Sequence, residues 1–112
     1  MGFFNTLITE TTCPNCGAKP EIRIQYKYGN TRQLHYSMGD TITWGGNDVG
    51  NPALTKVKAY GIAELTTCTA CNEECIPEEY DVFIIENKIT KFVPIESIEE
   101  YLDGDGEYVI LE

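Results

Sequence analysis

Thiols at a repeated spacing are the residues of this sequence best suited to chemistry. Cys13-Pro14-Asn15-Cys16-Gly17 and Cys68-Thr69-Ala70-Cys71-Asn72 form two Cys-x-x-Cys pairs separated by 51 residues. Their flanks repeat as well: Thr11-Thr12 precedes the first pair and Thr66-Thr67 the second. Two thiolates on a tight turn hold one metal ion, and such a turn favours a residue that tolerates positive φ after the second cysteine. Gly17 meets that need without steric cost, and Asn72 is the next-best choice. Two such turns complete a tetrahedral Cys₄ shell, so one structural Zn²⁺ is expected on Cys13, Cys16, Cys68 and Cys71. A closed shell has no position for water or substrate, which makes the metal structural rather than catalytic. Disulfide pairing and an iron–sulfur or redox role are the competing readings of the same four thiols. Four thiolates around one dication sum to about −2, which deepens the negative charge of the chain.

Other candidate chemistry is thinner. Cys75 reads as a free thiol partly buried under the second pair, and its spacing also allows it to replace Cys71 as fourth ligand or to act as a redox-sensitive neighbour. No motif supports a nucleophile pair of Cys75 with His35. His35 falls on the polar phase of a strand and is expected at the surface or an interface. Asp103, Asp105, Gly106, Glu107 and Glu112 resemble part of a calcium loop, but its first ligand position falls on Tyr101 and only one helix is available. The Gly45-Gly46-Asn47 loop has no lysine and no helix after it, which argues against a phosphate cradle. Arg23, Lys27 and Arg32 near Tyr26, Tyr28 and Trp44 offer one foothold for single-stranded nucleic acid. The alternative there is a strand with a core aromatic face and a solvated basic face.

The elements that must carry the cysteines are mostly strands. Phe3, Phe4, Leu7 and Ile8 lead into the first pair. Ile22, Ile24, Tyr26 and Tyr28 then alternate with Glu21, Arg23, Gln25 and Lys27, a period of two. Leu34, Tyr36 and Met38 continue the pattern, and Gly39-Asp40 predicts a hairpin turn before Thr41–Trp44. Residues 44–53 are loop by composition. Lys56–Leu65 returns to the second pair as a strand, with Gly61 expected to mark a bulge. Val82–Ile85 and Ile89–Val93 flank a hairpin turn at Glu86-Asn87-Lys88. Pro94 to Leu102 is the one helix candidate, with Ile95, Ile98, Tyr101 and Leu102 as its apolar stripe and Glu96, Glu99 and Glu100 towards solvent. A short strand at Glu107–Leu111 closes the chain. The expectation is a single domain, 1–112, mainly β: metal knuckles bracketing a β insertion (1–75), then an acidic hairpin and helix extension (76–112).

Length and charge bound the function. The chain has 112 residues, 42% hydrophobic, with a formal net charge of −10. That is one ordinary domain, and no apolar run approaches the ~18 residues that cross a membrane. The charge is segregated. Residues 1–71 carry six basic and five acidic groups, whereas residues 72–112 carry Lys88 and Lys91 against thirteen acids. Phosphate backbones repel such a surface, so general nucleic-acid binding is disfavoured. Met1–Glu10 has no basic n-region or apolar h-region, and the reading is cytoplasmic, where thiols stay reduced. Met1-Gly2 through Thr6 fits a loose myristoylation pattern, but no basic cluster or second acyl site follows.

The opening Met1-Gly2-Phe3-Phe4-Asn5-Thr6-Leu7-Ile8, with Cys13-Pro14-x-Cys16-Gly17 and Cys68-x-x-Cys71, resembles small zinc-ribbon-like proteins of bacteria and phages. These begin Met-Gly-x-Phe-Asp-x-Ile and carry two such pairs around a β insertion. The resemblance covers about residues 1–75. Asn5 stands where that pattern has Asp, Asn72 where it has a second Gly, and the acidic tail lies outside it. The resemblance implies zinc and fold, and no activity. Two functions follow as expectations. The first is a non-enzymatic module that docks a basic protein partner, as immunity or inhibitor proteins dock nucleases, through Glu96, Glu99, Glu100, Asp103 and Asp105. The second is an accessory of a nucleic-acid-processing machine. No general-base histidine, open metal site or paired carboxylates argue for an enzyme.

Overall fold

The computed structural model describes residues 4–46, 48–74, 76–95, 98–102 and 107–111. Met1-Gly2-Phe3, Cys75, Glu96, Asp103, Asp105 and Glu112 lie outside the described residues, as does the side chain of Glu100. The chain is mainly β. In chain order the strands are β1 (Asn5–Glu10), β2 (Glu21–Tyr26), β3 (Gly29–Asn30), β4 (His35–Tyr36), β5 (Asp48–Val49), β6 (Lys56–Ala63), β7 (Glu79–Ile85), β8 (Lys88–Pro94) and β9 (Tyr108–Ile110).

One sheet has the order β4-β1-β2-β6-β7-β8. β1 and β2 form an antiparallel hairpin in register from Asn5↔Tyr26 to Glu10↔Glu21. β6 and β7 form a second, from Lys56↔Ile85 to Ile62↔Glu79. The two hairpins sit side by side through β2 and β6, paired antiparallel from Ile24↔Ala63 to Tyr26↔Gly61. That arrangement brings the β1–β2 and β6–β7 connections to the same end of the sheet, and these connections carry the cysteines. β9 pairs with β6 at Val57–Ala59, continuing the line of β2 along the same edge. β3 and β5 make a separate two-stranded ribbon, in which β5 falls within residues 44–53, the segment read as loop from its composition.

The period of two in β2 comes out as expected: Ile22, Ile24 and Tyr26 are buried while Glu21 and Arg23 are exposed. With Leu7, Val57, Ala59, Tyr80, Val82 and Ile84 they form the inner face, covered by Tyr28, Tyr36 and Ile42. Tyr28 meets Trp44 and Tyr108 edge-on at centroid distances of 5.3 and 5.4 Å. Aromatic pairs of this geometry contribute about 0.5–1.5 kcal/mol beyond area burial. Asn5 is fully buried and ties three segments together: its amide donates to the Tyr28 carbonyl at 3.0 Å, and its oxygen accepts the Leu34 N–H at 3.1 Å.

Three local expectations are corrected. Among the described residues, the helix expected over 94–102 is not seen. Pro94 ends β8 opposite Tyr80, the Ile95 N–H donates to the Glu79 carbonyl, and among the described residues only a four-residue helical turn, α1 (Glu99–Leu102), follows. A stretch this short cannot sustain a helix by itself, and strand pairing takes its first residues. Its stripe is not buried as a whole either: Ile98 and Leu102 are exposed, Ile95 is half-buried and Tyr101 is buried. Gly61 is not a bulge, since the β6–β7 register runs through it unbroken. A Cβ there would lie 2.5 Å from the Ile24 Cγ2, so the glycine allows close packing of β2 on β6. The register shift falls instead between Phe83 and Ile84. Gly39-Asp40 does turn, with Asp40 donating its N–H to the Ser37 carbonyl, but it makes no hairpin. β4 runs parallel to β1, and residues 39–42 bond to the Asn87–Ile89 segment.

Candidate metal centre

Each hairpin tip folds its Cys-x-x-Cys in the same way. The Cys13 N–H donates to the Ala18 carbonyl and the Gly17 N–H to the Cys13 carbonyl, at 2.7 and 2.9 Å. At the second tip, Cys68 N–H donates to the Glu73 carbonyl and Asn72 N–H to the Cys68 carbonyl, at 2.9 and 2.8 Å. Both turns pass through the left-handed region at the expected residue, Gly17 at φ 77° and Asn72 at φ 60°. The sequence repeat around the cysteines is thus a repeat of backbone hydrogen bonds. These hold both sulfurs of a turn on one side.

The two turns face each other. The Sγ atoms of Cys13, Cys16, Cys68 and Cys71 all lie within 4.8 Å of one another. Cys13 Sγ is 3.8 Å from Cys71 Sγ, and Cys16 Sγ is 3.7 Å from Cys68 Sγ. These separations exceed the S–S bond length of about 2.05 Å, and the four cysteines stand as free thiols. A tetrahedron built on metal–sulfur bonds of about 2.3 Å has edges of about 3.8 Å, so the spacing suits one metal ion bound by four sulfurs. Cys13 and Cys68 are buried and belong to the inner core, Cys71 is half-buried and Cys16 exposed. The site therefore caps the core at one end of the sheet.

Further donors surround the sulfurs. The Asn15 N–H points at Cys13 Sγ at 3.4 Å, and the Asn15 side-chain amide reaches Cys71 Sγ across the gap at 3.5 Å. Such donors stabilise thiolate over thiol. The Asn15 amide, and then the Glu73 backbone N–H, pull the Cys71 thiol below its ordinary range. At Cys16 the Ala18 N–H pulls downward, but desolvation and hydrogen bonds with the three neighbouring cysteines outweigh it and push the thiol up to about 12. Four thiolates this close require a cation between them.

The remaining sequence candidates disperse. His35 is exposed on β4, on the opposite face from buried Tyr36. The rings named for nucleic-acid stacking belong to the core: Tyr26 and Tyr28 are buried, and Trp44 packs edge-on against Tyr28. Arg23 lies 3.7 Å from Glu21, and Lys27 lies 3.8 Å from Glu107. Glu99 is exposed on α1, while Glu96, Asp103 and Asp105 lie outside the described residues.

A polar cluster on the outer face of the sheet was not anticipated. Asp81, buried on β7, accepts the Tyr101 hydroxyl at 2.5 Å and faces Lys58 Nζ at 3.6 Å. Tyr60 packs on Tyr101 with centroids 5.3 Å apart and donates its hydroxyl to Glu79. The signal was the polar phase of β6 and β7, but reading it required the register that sets Tyr60 beside Asp81. Among the described residues no helix is long and apolar enough to cross a membrane. Comparison with protein-family models, with curated proteins and with solved structures finds no match to this chain.

Proposed function

We propose that this chain is a non-enzymatic, zinc-stabilised protein-binding module of the zinc-ribbon type, which docks a basic protein partner through its acidic C-terminal half. The observation that carries the reading is the four-sulfur cluster joining two hairpin tips. Its all-thiolate donor set and tetrahedral spacing suit Zn²⁺, a borderline-soft ion without redox chemistry of its own. Zinc bound there ties together segments 51 residues apart and supplies folding energy directly, since the unfolded chain holds no preformed site.

Charge segregation supports the docking. Residues 72–112 carry thirteen acids against two lysines, and complementary charge raises association rate and selectivity. The acids assigned to the contact are Glu96, Glu99, Glu100, Asp103 and Asp105. An immunity- or inhibitor-type role against a basic enzyme such as a nuclease fits this size and charge. The accessory role in a nucleic-acid machine has less behind it, because the rings it would stack bases on are packed in the core. Capture of partners from the native host tests the reading, using wild-type protein and a variant with those five acids neutralised. The wild type is expected to retain a basic protein that the variant loses. Equal capture by both, or an acidic partner, contradicts the docking.

A further inference from the structure

The outer face has a break where β2 ends and β9 takes over beside β6. At that break lies a cavity of about 250 Å³, lined by Phe4, Gln25, Lys27, Tyr60, Ile62 and Glu107. The volume is below the range of pockets for drug-sized ligands and suits one large side chain. Phe4, the Tyr60 ring and the exposed Ile62 supply apolar walls. Its polar lining is tied to carboxylates at every point. The Gln25 amide donates to Glu64 at 3.1 Å, the Tyr60 hydroxyl donates to Glu79, and Lys27 Nζ lies 3.8 Å from Glu107. Within the lining Lys27 and Glu107 offset each other, and Glu64 and Glu79, bonded to Gln25 and Tyr60 from just beyond it, add the excess of negative charge beside an aromatic wall.

We infer that this cavity receives an arginine side chain of the protein partner, a step that rests on the docking proposed above. An aliphatic stem packs on Ile62, a planar guanidinium stacks on an aromatic wall, and its fork of donors matches the carboxylates beyond. Lysine lacks both the plane and the fork. The cavity is continuous with the proposed acidic surface, because Tyr60 packs against Tyr101 of α1, the turn that carries exposed Glu99. Lys27 competes with the incoming cation for Glu107. Removing it is therefore expected to strengthen binding, which no purely structural role of Lys27 would produce.

The test uses the full, zinc-loaded chain, isotope-labelled for NMR, at low salt. The probe is acetyl-Gly-Gly-Arg-Gly-Gly-amide, with citrulline and glutamate versions as controls. Saturable shifts are expected at Gln25, Tyr60 and Ile62 with the arginine peptide, and at least about fivefold weaker binding of both controls. Lys27→Met is expected to tighten the arginine peptide about two- to fivefold, and Glu107→Gln with Glu79→Gln to weaken it by a similar factor. Ile62→Trp, at an exposed position, fills the cavity and abolishes the shifts while leaving the rest of the spectrum in place. Equal binding of citrulline, preference for glutamate, shifts away from the cavity, or weaker binding in Lys27→Met overturns the inference. Partner capture separates the two claims. If Ile62→Trp retains the partner that the five-acid variant loses, the cavity fails and the docking stands. If the five-acid variant retains it too, the docking itself fails.

Discussion

Residue identities at the turns and at one close contact carry more than their size suggests. Gly61 sits between Ile24 and Val82, and Gly61→Ala forces β2 and β7 apart by overpacking. A loss of about 1–3 kcal/mol in denaturant unfolding is expected, with metal content unchanged. The buried tyrosines set the alkaline limit. Burial pushes Tyr28 up to about 12, and burial with the Glu79 carboxylate does the same for Tyr60. Tyr26 and Tyr80 are raised by burial too. Unfolded tyrosine titrates near pH ~10, so the neutral form these sites favour contributes stability fully below that value. The contribution is lost as pH rises from about 10 towards 12. Urea midpoints measured from pH 8 to 11.5 are expected to hold steady to about pH 9.5 and then fall. A midpoint that stays level throughout contradicts the assignment.

At the scale of elements, the β7–β8 hairpin turns on Glu86 and Asn87, both in the left-handed region at φ 49° and 66°. Asn87 tolerates that conformation and donates its amide to the Pro52 carbonyl. Asn87→Ala is expected to cost about 1–2 kcal/mol in equilibrium unfolding, and an unchanged midpoint counts against this turn geometry. The C-terminal turn hangs on Tyr101. Removing its hydroxyl in Tyr101→Phe leaves buried Asp81 without that donor, at a cost of about 1–3 kcal/mol. Faster amide exchange in Glu99–Leu102 and in β9 is expected with it. The strands flanking the first cysteine turn and the turns themselves were legible because alternation in residues 21–28 and the repeated Thr-Thr-Cys flank are local signals. The partner of each strand was not. Whether Gly61 bulges or packs depends on what lies across from it, and residues 94–102 show a helical stripe only until Pro94 is claimed by the ladder opposite Tyr80. The four candidate ligands could be read from spacing alone, whereas the outer-face cavity depends on β9 pairing with β6 in line with β2, a pairing with no sequence signature.

For the molecule as a whole, two hairpins whose cysteine-bearing tips face each other are combined with an acidic C-terminal half. Its net charge of −10 opposes any phosphate backbone. Mobility shifts with duplex DNA or RNA at physiological salt are expected to show no binding, and micromolar affinity weakened by Arg23→Ala or Lys27→Ala would move the function to the accessory class. Cys13 and Cys68 belong to both the core and the four-sulfur site, so the proposed metal bears on the stability of the whole fold. The most direct test is elemental analysis of the purified chain combined with thiol titration before and after chelation. One equivalent of zinc is predicted, with Cys13, Cys16, Cys68 and Cys71 protected until a chelator removes the ion and unfolds the protein. Less than about half an equivalent of zinc, with all five thiols reacting freely in the native state, contradicts it.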